Sequence, residues 1–168
     1  ILNAPEDKDY YLRHLQGYNL SCSDGLTLEP IDTLDAAAIA EGINFVKTNW
    51  VFKKECADAT IEQGVKYALA IAKKIRERGW EAITLIDVDG MKKLEGFPPA
   101  MVFMLLEHYC SVLTVPENDV MGAVTQLIMK YITGRIVPYM EYYEFFEKSM
   151  LIGVPDFIPK AATKGDVE

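Results

Sequence analysis

Two apolar runs, each handed over to a helix, limit what this chain can fold into. Residues 82–88 (Ala-Ile-Thr-Leu-Ile-Asp-Val) and 111–115 (Ser-Val-Leu-Thr-Val) are rich in β-branched and aliphatic residues. Such runs need cover on both faces, which is the situation of central strands in a parallel sheet. Helical patterns surround them. Residues 33–46 carry Leu34, Ala38, Gly42 or Ile43 and Val46 on one face, with Thr33 or Asp35 as cap. Residues 60–78 bury Ile61, Val65, Ala68, Leu69, Ala72 and Ile75, with Thr60 and Gln63 as a capping box and Gly79 as the stop. Pro98 and Pro99 start a helix that reaches about Tyr109, with Val102, Leu105 and Leu106 inward. The next helix, 119–133, has apolar residues at 120, 124, 127, 128, 131 and 132, between Asn118 as cap and Gly134.

A third strand is expected at 136–141, then a short apolar run at 150–154. The alternation predicts an α/β fold, a parallel sheet flanked by helices in the Rossmann-like manner. The expected division is an α/β domain over 1–134, with 135–168 as a docked tail or an extension leading into a further, β-rich domain. Residues 1–30 are the least regular, with a helical turn at Tyr10–Leu15 and a turn cluster at Ser21–Gly25.

Composition narrows the partners. The 168 residues are half hydrophobic, enough for a core, and carry a net charge of −8. An acidic chain with no basic cluster argues against nucleic acid and anionic membrane. The uncharged stretch Phe97–Leu106 is too short and too proline-marked to span a bilayer. Cys22, Cys56 and Cys110 are odd in number and lack metal spacing, as expected of buried thiols in a reducing, cytoplasmic setting. No basic segment followed by an apolar one marks a signal peptide. Beginning at Ile1 and ending in the polar tail 160–168, the sequence reads as a piece of a longer protein.

Several residues are candidates for chemistry. Glu117, in Pro116-Glu-Asn-Asp-Val-Met-Gly-Ala123, stands where a strand gives way to a helix, at the carboxyl edge where open α/β sheets bind ligands. Asp119 is accounted for in part by the helix dipole. Glu141 lies 24 residues beyond Glu117, before Tyr142, Tyr143, Phe145 and Phe146. Period two puts Tyr139, Glu141 and Tyr143 on one strand face and Met140, Tyr142 and Glu144 on the other, and leaves open which faces solvent. Asp87-Val-Asp89-Gly90 follows a strand and suggests an aspartate-based phosphatase of the haloacid-dehalogenase kind. Met91 stands where that family has Thr, and an acidic turn at a strand end is the favoured reading. The two histidines, His14 and His108, lack metal spacing and read as structural. Met101, Met104, Met121, Met129 and Met140 read as core filler.

Taken in order, Arg78-Gly-Trp-Glu-Ala-Ile-Thr84, Phe97-Pro-Pro-Ala100, Pro116–Thr125, Tyr139-Met-Glu-Tyr-Tyr143 and Leu151-Ile-Gly153 resemble the L-fucose/L-arabinose ketol-isomerase superfamily. The resemblance covers about residues 60–168. It implies a fragment of a metal-dependent aldose–ketose isomerase, a homo-oligomer acting on a sugar such as L-fucose or L-arabinose. It implies Glu117 and Glu141 as catalytic carboxylates and as Mn²⁺ ligands, joined by a histidine. The segment Leu151–Pro159 lacks that histidine, so the third ligand would lie outside this chain, and the isolated chain would be catalytically silent. The remaining domains of the parent protein are implied as partners. The alternative is a non-catalytic relative that binds a sugar or serves assembly. Glu117 and Glu141 are expected to converge, because the helix 119–133 takes the chain back and the next strand brings it forward again.

Overall fold

The computed structural model describes residues 34–85, 91–93, 96–135, 137–153, 157 and 162. Among the described residues, four helices and two small sheets follow in order: α1 (Ala36–Asn49), α2 (Asp58–Arg78), β1 (Ala82–Thr84), α3 (Ala100–Cys110), β2 (Leu113–Val115), α4 (Val120–Thr133), β3 (Glu141–Phe145) and β4 (Met150–Gly153). The fold is α/β, with β1 and β2 paired in parallel, Ile83 opposite Thr114. Crossover α3 connects them.

Local chemistry explains most of the boundaries. The side chain of Asp35 caps α1 through the amide of Ala37, 3.0 Å away. α2 and α4 end on the left-handed glycines Gly79 and Gly134. Pro99 precedes the first residue of α3, where a missing N–H costs nothing. The expected box of Thr60 and Gln63 does not form. α2 starts earlier, at Asp58, after an Ala57 that gives no side-chain cap. Gln63 bonds instead to the Tyr67 hydroxyl at 3.3 Å. Lys47, in the last turn of α1, pairs with Asp58, in the first turn of α2, at 2.7 Å. Each charge also suits its own helix pole.

The core joins α1, α2, α3 and β1 through Val46, Ile61, Val65, Ala68, Ile71, Ala72, Ile75, Ile83, Phe97, Val102, Leu105, Leu106 and Val112. α2 and α3 form the principal helix pair. Their stripes are those the helical periodicity indicated, save that Leu69 is half-buried and Ala70 and Ile71 are inward. Gly42 lets α1 approach closely, since a Cβ there would stand 2.6 Å from Val65 Cγ1 and against the Tyr109 hydroxyl. α4 packs on β1 and β2. All three residues of β2 are buried, as expected of a strand covered on both faces.

Several expectations are corrected. α4 buries Ala123, Val124 and Gln126, while Ile128, Tyr131 and Ile132 are exposed, Ile132 to 74%. The two-stranded pair is too narrow to cover the whole apolar side of this helix. Met121, Met129 and Met140 are likewise exposed rather than core filler. The strand expected at 136–141 does not join the parallel pair. The described residues 137–140 are not strand, and Pro138 has no N–H to give a ladder. Instead β3 begins at Glu141 and pairs antiparallel with β4, closed by a bond from the Phe146 amide to the Ser149 carbonyl at 2.8 Å. The expectations for Tyr10–Leu15, Ser21–Gly25, Thr33, Cys22, His14 and the end of the 82–88 run lie outside the described residues. Cys56 and Cys110 are free thiols, both half-buried.

The core assigns large effects to two positions. Leu106→Ala should lower stability by about 2–5 kcal/mol through an unfilled cavity. Gly42→Val should cost about 1–3 kcal/mol by overpacking against Val65 and Tyr109. Urea midpoints at constant m-value check both. A Gly42→Val variant as stable as the parent chain would mean that α1 is not seated on α2 as described.

Candidate functional site

The carboxyl edge of the parallel pair is built from one turn. After Val115 comes the fully buried Pro116, then two residues in the left-handed region: Glu117 at φ 60° and Asn118 at φ 56°. The Asp119 amide bonds the Pro116 carbonyl at 3.2 Å and closes the turn. The Asn118 amide bonds the Leu85 carbonyl at 2.8 Å, and Thr84 Oγ1 donates to the Pro116 carbonyl at 3.4 Å. The turn is thereby tied to the ends of both strands. Left-handed backbone suits Asn but costs a Glu on the order of 1–2 kcal/mol. Glu117 is thus an exposed carboxylate held in a costly conformation at the edge where α/β sheets take ligands.

The capping residue is Asp119, not Asn118. Its Oδ1 accepts from the Gly122 amide at 2.8 Å. Asn118 has its own amide committed to Leu85, so it belongs to the turn rather than to the helix. Tyr139, to which the sequence assigned no role of its own, reaches this same place. A Cβ on Gly122 would lie 3.2 Å from Tyr139 Cε2. The approach to β3 is therefore laid against the first turn of α4. Glu141 follows two residues later, within about 7 Å of the Tyr139 Cα by chain length. Glu141 is half-buried and pairs in register with Gly153. Its alternation with Tyr143 holds, since a Cβ on Gly153, its pair, would lie 3.0 Å from Tyr143 Cε2; the predicted alternation fails at Glu144, which pairs with Leu151 beyond the register shift and so shares that face.

His108 lies elsewhere. It occupies the last turn of α3, ahead of β2, and so at the end of the strand opposite to Glu117. Its ring stacks on Phe45 at 3.8 Å with 14° between planes. Together with Glu41, Gly42, Leu69 and Tyr109 these rings line a depression of about 250 Å³. The Tyr109 hydroxyl at its wall is buried without a hydrogen-bond partner. Burial, and then the Glu41 charge, push the pKa of this phenol up. Burial does the same for the Cys110 thiol, against the opposing effect of Arg76.

Among the described residues, no group of three or more His, Cys, Asp and Glu stands where it could hold a metal ion. The described part of the chain does not by itself complete the ligand set that the resemblance implies. Asp87 and Asp89 lie outside the described residues. No helix among the described residues is long and apolar enough to cross a membrane. No protein-family model, no curated protein and no solved structure matches this chain.

The left-handed turn has a direct consequence. Glu117→Gly should be more stable than Glu117→Ala by about 1 kcal/mol, because only Gly relieves the backbone. Thermal melts of the two variants measure this difference. Equal stability would show that residue 117 is not held at positive φ in solution.

Proposed function

We propose that this chain is the α/β portion of a metal-dependent aldose–ketose isomerase, and that Glu117 and Glu141 are its two catalytic carboxylates. The observation that carries the reading is Glu117 itself. Strained backbone of this sort persists where the surroundings over-determine it, and such sites concentrate where ligands bind. The placement of Tyr139 against the α4 first turn adds to it, by holding the segment before Glu141 at the same edge. In this reading the two carboxylates grip neighbouring sugar hydroxyls and relay a proton between C2 and C1. The Mn²⁺ ligand set, its histidine included, would be completed by parts of the parent protein beyond this chain. The parallel pair would belong to a larger Rossmann-like sheet, and residues 135–168 would open a β-rich domain. A cytoplasmic, oligomeric parent protein goes with this reading.

A second reading is a non-catalytic relative that binds a sugar or serves assembly. The phosphatase reading rests on Asp87 and Asp89, which lie outside the described residues.

Paramagnetic broadening separates the first two readings. Substoichiometric Mn²⁺ added to ¹⁵N-labelled chain should broaden amides around residues 116–119 and 140–142 together. Glu117→Gln should remove both effects while the rest of the spectrum stays in place. The chain alone should not turn over L-fucose or L-arabinose, because an open two-carboxylate site neither holds the ion firmly nor excludes water. Sugar-induced shifts at this edge without any Mn²⁺ broadening would favour the binding relative. Broadening scattered over the acidic surface, with no sugar response, would overturn both.

A further inference from the structure

Three aromatic rings and one carboxylate line the depression between α1, α2 and α3. Ala38, Glu41, Gly42 and Phe45 recur at helical spacing and so share one face of α1. Ala38 and Gly42 leave the space that larger side chains would fill, and Leu69 of α2 closes one side. The rings are held in a row. His108 stacks on Phe45 with centroids 3.8 Å apart, and Tyr109 follows His108 at 5.3 Å. At about 250 Å³ the space is several times the ~30 Å³ share of one water, so it takes a small organic molecule.

The polar groups limit the chemistry of that molecule. Glu41 is exposed, and no ion pair among the described residues includes it. Its charge is felt at the wall, since burial first, and then this carboxylate, raise the pKa of the Tyr109 phenol. The Tyr109 hydroxyl itself is turned against Gly42 and buried, so it is not offered to a ligand. A primary ammonium has three donors to satisfy, and the depression offers it few acceptors. A quaternary ammonium has none. It needs only a negative charge and aromatic rings, whose quadrupoles attract a cation. An anion would meet Glu41 in a chain of net charge −8.

We propose that this depression binds a small trimethylammonium group, with Glu41 as its counter-charge and Phe45, His108 and Tyr109 as its aromatic walls. A free choline-like ion and the headgroup of a choline lipid both carry that group. His108 lies ahead of β2, at the end of the strand opposite to Glu117, and the inference does not rest on the sugar-site reading.

Choline titrated into the ¹⁵N-labelled full chain at about pH 8 tests it, with 3,3-dimethylbutanol as the uncharged molecule of the same shape. Choline should shift the amides around residues 38–45 and 107–110 saturably, with a Kd on the order of 1–10 mM, as so few atoms allow. Dimethylbutanol should bind about fivefold more weakly or worse, because it lacks both the charge pair and the cation–π attraction. Glu41→Gln should weaken choline about threefold, the size expected at an exposed carboxylate. Ala38→Leu should abolish binding by filling the space with every charge kept, and Glu55→Gln, which removes an equal charge elsewhere, should leave it unchanged. Phosphatidylcholine vesicles separate the two sources. Cosedimentation that Glu41→Gln reduces assigns the lipid headgroup, and choline shifts without cosedimentation assign a soluble ligand. Equal binding of choline and dimethylbutanol, a choline or vesicle response untouched by Glu41→Gln, or no saturable response up to about 50 mM choline together with no cosedimentation would each overturn the proposal.

Discussion

The structure depends on β2 being buried on both faces. Leu113, Thr114 and Val115 are three residues long as a strand, and yet all three are withdrawn from water. A strand so placed has to be flanked by helices, and the chain provides them on either side of it in sequence. α3 leads into β2 through only two residues, and α4 leaves it through the turn at Pro116–Asp119. The apolar core beneath, from α2 and α3, gives α3 its seat and so fixes where β2 begins. The turn that follows has little freedom, because its amides and carbonyls are taken up by Leu85, Thr84 and Pro116. The position of Glu117 is thus a consequence of packing several residues away.

That chain of cause separates Glu117 from the other acidic residues. An exposed carboxylate on a helix face has many conformations. Glu117 has a backbone fixed by hydrogen bonds on both sides and held in the left-handed region. The unfavourable backbone is offset by the buried strand and by the Asn118 bond to Leu85. Pre-organisation of this kind is what a site needs if it is to act on a ligand without rearrangement.

The helices were legible because their signals are local. Asp35, Pro99, Gly79 and Gly134 act through neighbouring backbone groups, and each does what its residue type favours. The parallel pair was legible because β-branched apolar runs have few other uses. What was not legible depends on distant partners. The apolar residues of α4 are periodic, but only the sheet width decides that Ile128 and Ile132 remain outside. Asn118 and Asp119 are both good caps, and the choice between them was made by the carbonyl of Leu85, 33 residues earlier in the sequence. The hairpin shows a further limit. Periodicity ends a strand at Glu141, where β3 instead begins, and Pro138 and the bulge near Tyr143 decide its start and its faces. Of the candidate site, the location of Glu117 was readable from the strand-to-helix change. The role of Tyr139 in bringing up the segment before Glu141 was not, since nothing in sequence joins it to Gly122.

The central claim is that the turn at Glu117 and the start of β3 form one carboxylate site. Diffraction from a crystal of this chain soaked in Mn²⁺, recorded at the manganese absorption edge, tests it most directly. The account predicts an anomalous peak bridging Glu117 and Glu141, with ligand distances of roughly 2.0–2.3 Å to oxygens of both. Carboxylates at opposite ends of the fold, or a peak that touches neither of them, would contradict it.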